Sequence, residues 1–558
     1  MRTKNKLPVI GLLVLIFVSV TAGTVWVFQN YRLVNFRLYP KNMEVLDLRR
    51  ETVTAEAYQK LSEKLPDAQI LWNVTIQDQV YSSDITHLTL EDLTREDIPL
   101  LSGFSSLETL ELRNCQDPAL AAEAQRTYPD VKVLYQISLG GREYSQDAKT
   151  VTLDGLEDGE AERILCLPEL TKVLLEGGGN HQELTKLMDL CDRNGIPVQA
   201  VLGGDRYDMD STDLSVTGLT EEEAKLLPLM SGVKKLHLTD PLISGTQLTQ
   251  LAQQLAPAKV TWEVEIMGVS YAQDTTRVDL TAGMSQEAAQ ILEKAKTAPV
   301  QGERDKELYQ FGIKDKYLLP DLSADTPALL TQVEQELGRL PQLEEVIFGG
   351  GFLDNENMLA FREEHRQDYK VIWYVQCGNK MVVRTDSPYL MPTKHHVYYF
   401  LDRDAVNLKY CEDMISIDLG HMAISNIDWV EYMPNLQYLV LAHTQLQRIE
   451  PIRTCKNLKF LELDWSPIRD YSPLVECTAL EDLNLGETYA DFTPVAQMTW
   501  LKNLWMVHCS SGSVYRTREA LPDTHIVSGG DATVAGGWRN LPNYYAMRDW
   551  LGMYYMTW

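Results

Sequence analysis

Basic side chains are scarce in this chain: 51 lysines and arginines stand against 79 acids, a net charge of −28. A nucleic-acid binder needs a concentrated basic face to displace counterions from phosphate, so ordinary DNA or RNA recognition is excluded. Cysteine is thin as well. The eight, at Cys115, Cys166, Cys191, Cys377, Cys411, Cys455, Cys477 and Cys509, form no C-x-x-C pair and no metal-ligand spacing, which argues against a zinc site. There is no G-x-S-x-G and no H-E-x-x-H, and neither glycine run, Gly177–Gly179 or Gly349–Gly351, leads into Gly-Lys-Ser/Thr. Those runs read as turns at positive φ. His395 and His396 are adjacent, so in a strand they face opposite sides and do not share a metal. The acids Asp205, Asp208, Asp210 and Asp213 fail the EF-hand test, since Asp213 sits where glycine is required and Leu219 where glutamate is, and they read as a solvated loop. The expectation is no metal, no cofactor and no local catalytic motif.

What the chain does have is globular composition, 44% hydrophobic and 9% aromatic over 558 residues, and one long uncharged run. Pro8 to Phe28 carries no charge, and 21 helical residues at ~1.5 Å each span a hydrocarbon core of ~30 Å. Arg2, Lys4 and Lys6 precede it, which by the positive-inside rule leaves residues 1–7 cytoplasmic and the bulk of the chain outside. The run reads as a single-pass anchor, with a signal peptide cut after Ala22 as the alternative that would make the protein secreted.

Beyond a juxtamembrane linker, 29–44, the sequence repeats with a period of 63 over residues 45–280. Tyr81, Tyr144, Tyr207 and Tyr271 each open a Y-x-x-D, and each follows a period-2 apolar run such as Ile70, Trp72, Val74, Ile76 or Val260, Trp262, Val264, Ile266. Alternation of that kind predicts a strand, and Gly141, Gly204 and Gly268 predict its reversal into the tyrosine segment. From Met414 the period shortens to 22: Leu436, Leu439, Leu441; Leu458, Leu461, Leu463; Leu480, Leu483, Leu485; and, after 21, Leu501, Leu504, Met506. Cys455 and Cys477 fall in a column with Met433 and Met498, as buried apolar filler does.

These residues resemble the leucine-rich repeat, L-x-x-L-x-L-x-x-N/C-x-L, in the 22-residue form of internalin-type bacterial surface proteins. Thr444, Ser466, Thr488 and Cys509 fill its N/C position, as small polar groups able to bond the turning backbone. The resemblance implies an α/β solenoid with a curved parallel sheet, preceded here by the transmembrane helix. About 20 strand signals at ~4.8 Å would make one continuous sheet on the order of 95 Å long. Register is lost over 281–342, read as an irregular insert. The solenoid resumes over 343–528, and residues 529–558, crowded with Trp538, Tyr544, Tyr545, Trp550, Tyr554, Tyr555 and Trp558, read as a cap.

With the leucines inside, the intervening residues line the concave face: Tyr438, Val440, Phe460, Glu462, Asp482, Asn484, Asn503 and Trp505. The column just after each strand is His421, His443, Trp465, Glu487 and His508. Exposed aromatics beside polar groups have hot-spot composition. Tyr438, His443, Phe460, Glu462, Trp465, Asp482, Asn484, Trp505 and His508 are therefore the candidate ligand-binding residues, for a protein, peptide or glycan at the cell surface. The rival readings are an envelope spacer that docks through its aromatic tail and an enzyme with a site dispersed over several rungs.

Overall fold

The computed structural model describes residues 37–296, 307–313, 319–530 and 533–553, with Thr24, Trp26, Val27 and 29–34. The 8–28 run lies outside these except for those three residues, and among the described residues no helix is long and apolar enough to cross a membrane. The chain divides into two units, Met1–His237 with Leu251–Val260, and Leu238–Gln250 with Thr261–Trp558.

In the first unit the 63-residue period resolves into three parallel rungs and a hairpin. His87–Leu90, Thr109–Leu112 and Lys132–Leu139 pair in parallel, and the last turns back into Arg142–Ser145. Thr150–Leu153, Lys172–Leu175, Val198–Leu202 and Asp205–Asp208 repeat the arrangement. Both central residues of each reversal have positive φ, at Gly140 and Gly141 and at Gly203 and Gly204, as a two-residue turn matched to strand twist requires. The repeated tyrosine is a latch: Tyr144 and Tyr207 donate to the carbonyls of Thr152 and Ser215, eight residues on. Each copy thus ends on an antiparallel strand, and the ladders form separate sheets where the period implied one. Asp205 and Asp208 lie in this hairpin, where Asp208 accepts from Gln199, and Asp213 opens the next strand, Asp213–Thr217, and pairs with Lys235.

Two sequence expectations are corrected by packing. The glycine runs are needed for close approach, and none of their six residues has positive φ. A Cβ on Gly178 would lie 2.3 Å from Lys225 Cβ, and one on Gly350 would lie 1.9 Å from Met284 Cβ. The 281–342 segment, in the second unit, is ordered where it is described. Helix Gln286–Lys296 packs Ala288, Ile291 and Leu292 against Phe311, Ile347, Tyr374 and Val382, and Gln310–Gly312 pairs antiparallel with Met381–Arg384. Its apolar residues are spent on a helix and an edge strand, which carry no 22-residue period.

The second unit ends in a seven-stranded parallel sheet: β1 Tyr389–Leu390, β2 Ser416–Asp418, β3 Tyr438–Val440, β4 Phe460–Glu462, β5 Asp482–Asn484, β6 Asn503–Trp505 and β7 His525–Val527. This is the leucine-rich-repeat ladder. Leu439, Leu461, Leu483 and Leu504 pair in register from rung to rung, and they and their flanking leucines are fully buried. Cys455 and Cys477 lie in the same core, and all eight cysteines are free thiols. Thr444, Ser466, Thr488 and Cys509 bond the turning backbone: Thr444 Oγ1 and Ser466 Oγ both donate to Leu441 O at 2.9 Å, and Thr488 Oγ1 at 2.6 Å and Cys509 Sγ at 3.2 Å donate to Leu485 O. Short hydroxyls reach the turning carbonyls that asparagine serves elsewhere. His395 and His396 lie in a 3₁₀ turn and its left-handed cap, not in a strand.

Candidate functional site

Strand alternation gives the seven-stranded sheet an outer face of two columns. One reads Tyr389, Ser416, Tyr438, Phe460, Asp482, Asn503, His525, and the other, from β2 on, Asp418, Val440, Glu462, Asn484, Trp505, Val527. Most of the expected ligand-binding residues stand there, yet they are not exposed. Phe460 and Asn484 are 0% accessible and Trp505 is 1%, while Tyr438, Glu462 and Asp482 are also buried. The expectation of an open concave site is corrected, because the chain's own C-terminal segment lies across this face.

The cover is built from side chains that match the columns. Trp538 sits 4.7 Å from Phe460 and 5.0 Å from Trp505, ring centre to ring centre, and Tyr544 and Met547 join the same apolar cluster. Polar groups are matched as closely. Trp538 Nε1 donates to Glu462 Oε1 at 2.5 Å and Thr533 Oγ1 to Asp464 Oδ2 at 2.7 Å. Asn543 Nδ2 donates to Asp482 Oδ2 at 2.9 Å, and Trp505 Nε1 to Ala535 O at 2.6 Å. The segment reaches Tyr389 of β1, and in the turn after that strand Lys394 Nζ donates to Leu551 O at 3.0 Å. The tail therefore covers the strand face over six rungs. The helix Ser511–Ala520 and β7 follow the last 21-residue copy. Tyr554, Tyr555 and Trp558 lie outside the described residues.

This packing shields four carboxyls from solvent. Burial, with Asp464 and Asp418 nearby, pushes Glu462 up to about 8, against the opposing pull of the Trp538 bond and Arg539. Burial raises Asp464, Asp418 and Asp482 as well. Asp464 Oδ1 is buried with no hydrogen-bond partner. Among the described residues no group of three His, Cys, Asp or Glu side chains is placed to hold a metal ion.

Three of the expected residues are instead at the rim, three positions past each strand. His421, His443, Trp465, Glu487 and His508 all have φ between 55° and 62°, the left-handed region that L side chains resist. The geometry has a local cause. At this turn the backbone N–H reaches the next rung's carbonyl, His421 to Ala442, His443 to Asp464, Trp465 to Gly486 and Glu487 to Val507, at 2.8–3.1 Å. The side chains then stack along the rim: His421 on His443 at 4.4 Å and His443 on Trp465 at 5.4 Å, both near parallel. Glu487 bonds His508 and accepts from Tyr489, which is 76% exposed; Trp465 is 51% exposed. His443 Nε2 lies 4.0 Å from Asp464 Oδ2, and burial lowers its pKa.

The periodicity named the rim column, but not its backbone conformation or its separation from the covered face. Thr533, Asn543 and Trp538, which cover that face, escaped it. The available signal was the aromatic density of the tail opposite Tyr438, Val440 and Phe460, which no solvated sheet leaves bare. A second recess, of about 380 Å³, is lined by Arg362, Arg366, Lys370, Asp386, Glu412 and Asp413. Its charges are spent on one another, Arg366 on Glu412 and Lys370 on Asp413.

No family model and no curated protein sequence matches the chain. Among solved structures it is similar to internalin C2 of Listeria monocytogenes, at 22% identity over 23% of this chain and 70% of that one, with a TM-score of 0.19. It is similar also to the internalin InlF of the same species, at 12% identity over 82% and 90% with a TM-score of 0.23. A leucine-rich-repeat protein of Leptospira interrogans matches at 13% over 78% and 93%, with a TM-score of 0.20. At such scores the superpositions carry no functional argument, and the leucine-rich-repeat assignment rests on this chain's own ladder from β1 to β7.

Proposed function

We propose that this is a membrane-anchored, extracytoplasmic leucine-rich-repeat recognition protein, non-catalytic, that binds a protein, peptide or glycan through the rim of its 22-residue repeats. One observation carries the reading: five successive rungs place a non-glycine residue at a left-handed position, and their side chains line the rim as a stack of His421, His443 and Trp465 followed by a bonded Glu487–His508 pair. Backbone strain of this kind concentrates where a side chain is needed in a particular direction. His443, Trp465 and His508 are the contact residues, with His421, Glu487 and Tyr489 beside them. The anchor is Pro8 to Phe28, whose uncharged length and basic N-terminal flank support an exported bulk.

The test uses the purified chain on peptide and glycan arrays and on cell-surface extracts. Trp465→Ala and His443→Ala should each weaken binding to any captured partner, and the pair together by at least ~30-fold, as aromatic hot spots of ~2 kcal/mol imply. Full affinity in the folded double variant would overturn the rim assignment. Protease added to intact cells should remove C-terminal epitopes and spare an N-terminal tag; a mature N-terminus at Gly23 in the medium would overturn the anchor.

A further inference from the structure

The segment from Thr533 to Met553 crosses the outer face of β1 to β6 as a bound ligand would, with rings seated on rings and side-chain donors seated on carboxyls. Its seat is unusual for a hydrophobic core. Three carboxyls lie at or under it, Asp418 on β2, Glu462 on β4 and Asp464 just after β4, and the segment meets the last two through Trp538 Nε1 on Glu462 and Thr533 Oγ1 on Asp464. Neither donor carries a charge that would balance an ionised carboxylate. Burying an ionised carboxylate is unfavourable even with opposing charge near it, here Arg539 acting on Glu462 and His443 4.0 Å from Asp464, so ionisation loosens the cover.

We propose that the C-terminal segment is a detachable occupant of the repeat face, docked while the carboxyls beneath it hold their protons and released as they ionise. This goes beyond the recognition reading and is tested without any ligand. Every charged or titratable group facing Glu462 enters the balance. From the sheet and rim these are Asp418, Asp464, His421 and His443, and from the segment Arg539 and Tyr544, with Arg548 beside Tyr544. Arg539 is the opposing charge, yet Glu462 still stands at about 8 against an ordinary 4.5, with burial the chief cause.

The direction follows from where the proton is held more tightly. Glu462 binds it better with the segment docked than with it released, so docking is at full strength below the pKa that Glu462 has in the released state. It weakens as pH rises through that value and levels off above about 8. A docked-state value near 8 makes docking pH-dependent through the neutral range. Ionisation of Asp464 and Asp418 acts in the same direction. Release would bare Phe460, Tyr438 and Trp505, an aromatic face joined to the rim through Asp464, one residue from Trp465.

Hydrogen exchange of the full chain at pH 5, 7 and 9, corrected for the intrinsic rate, reads the segment and the rungs separately. Amides of 538–551 should lose at least ~100-fold protection between pH 5 and pH 9 while those of Leu439, Leu461 and Leu483 stay protected. Glu462→Gln, which keeps an acceptor for Trp538 Nε1 without a proton to lose, should cut that change to below ~10-fold. Asp464→Asn serves as a second variant should the first fail to fold, and should reduce the change by a smaller factor. Equal protection of 538–551 at pH 5 and pH 9 would overturn the proposal. So would an unaltered pH response in the folded variants, or simultaneous loss of protection by the rungs.

Discussion

Replacing Trp505 with alanine should destabilise the second unit far more than the same change at Trp465, although the two rings stand in neighbouring columns of the same repeats. Trp505 is 1% accessible, lies 5.0 Å from Trp538 and 5.8 Å from His525, and donates its indole proton to Ala535 O. Removing a buried ring of ~200 Å² forfeits about 5 kcal/mol by area, and large-to-small changes of this kind cost ~3–5 kcal/mol. The lost hydrogen bond adds about 1 kcal/mol, since Ala535 O is left under the sheet cover. Trp465 is half exposed, and its packing partner is His443 on one face. Its loss should cost about 1 kcal/mol, and Trp465→Gly should recover about that much, because glycine adopts φ near 55° without steric penalty. Urea unfolding followed by circular dichroism, at one pH, measures both. A Trp505→Ala variant within 1 kcal/mol of wild type would refute the burial argument. A Trp465→Gly variant less stable than Trp465→Ala would refute the strain argument.

Thiol chemistry gives an independent check on the core: burial pushes Cys115 up to about 12 and Cys166 and Cys191 up to about 11, so iodoacetamide at pH 8 should leave them unmodified by mass spectrometry while half-buried Cys509 reacts first. Rapid alkylation of Cys115 in the folded chain would contradict its placement. Tyr207→Phe removes the latch to Ser215 O and should cost about 0.5–1.5 kcal/mol in thermal or urea unfolding, with the same expected at Tyr271, which donates to Asp279 O at 2.8 Å. No loss at either position would assign the tyrosines to packing alone. Gly350→Ala should destabilise by at least ~2 kcal/mol because its Cβ meets Met284 Cβ at 1.9 Å, whereas Gly141→Ala meets open space and should cost only the ~1–2 kcal/mol of φ near 70°. Equal effects by differential scanning calorimetry would remove the distinction between close approach and backbone conformation.

The repeat core was legible because it is written locally. Leu461 sits 22 residues from Leu439 and from Leu483, so one column of sequence is one column of space, and the same holds for Cys455 beside Cys477. Hairpin turns were legible for a similar reason, since Gly141 and Gly204 advertise the conformation they adopt. The outer face was not legible in this way. Strand alternation identified Phe460 and Glu462 as pointing away from the leucines, but whether such a face meets water depends on Trp538, 76 residues beyond Glu462. Periodicity carries no information about a segment that lies outside the period. The 281–342 region fails by the same logic, because Phe311 gains its environment from Val382 and Tyr374 and not from a neighbouring copy of itself.

That distinction bears on where a repeat protein of this kind can vary its surface. In each 22-residue rung the leucines are committed to the core, the two outward strand positions of β3 to β6 lie largely under the C-terminal segment, and the Thr444-type position bonds the turning carbonyl. The residue three past the strand is bound by none of these obligations. Its N–H serves the ladder, and its side chain, thrown outward by a left-handed backbone, serves nothing inside the rung. Glycine there would relieve ~1–2 kcal/mol per rung, on the order of 5 kcal/mol over five rungs, against a typical domain stability of ~5–15 kcal/mol. The chain instead places two imidazoles and an indole in a stack there, followed by a carboxylate bonded to a third imidazole. A cost of that size at surface positions is hard to reconcile with packing as their purpose, and it is the physical ground for placing recognition on the rim.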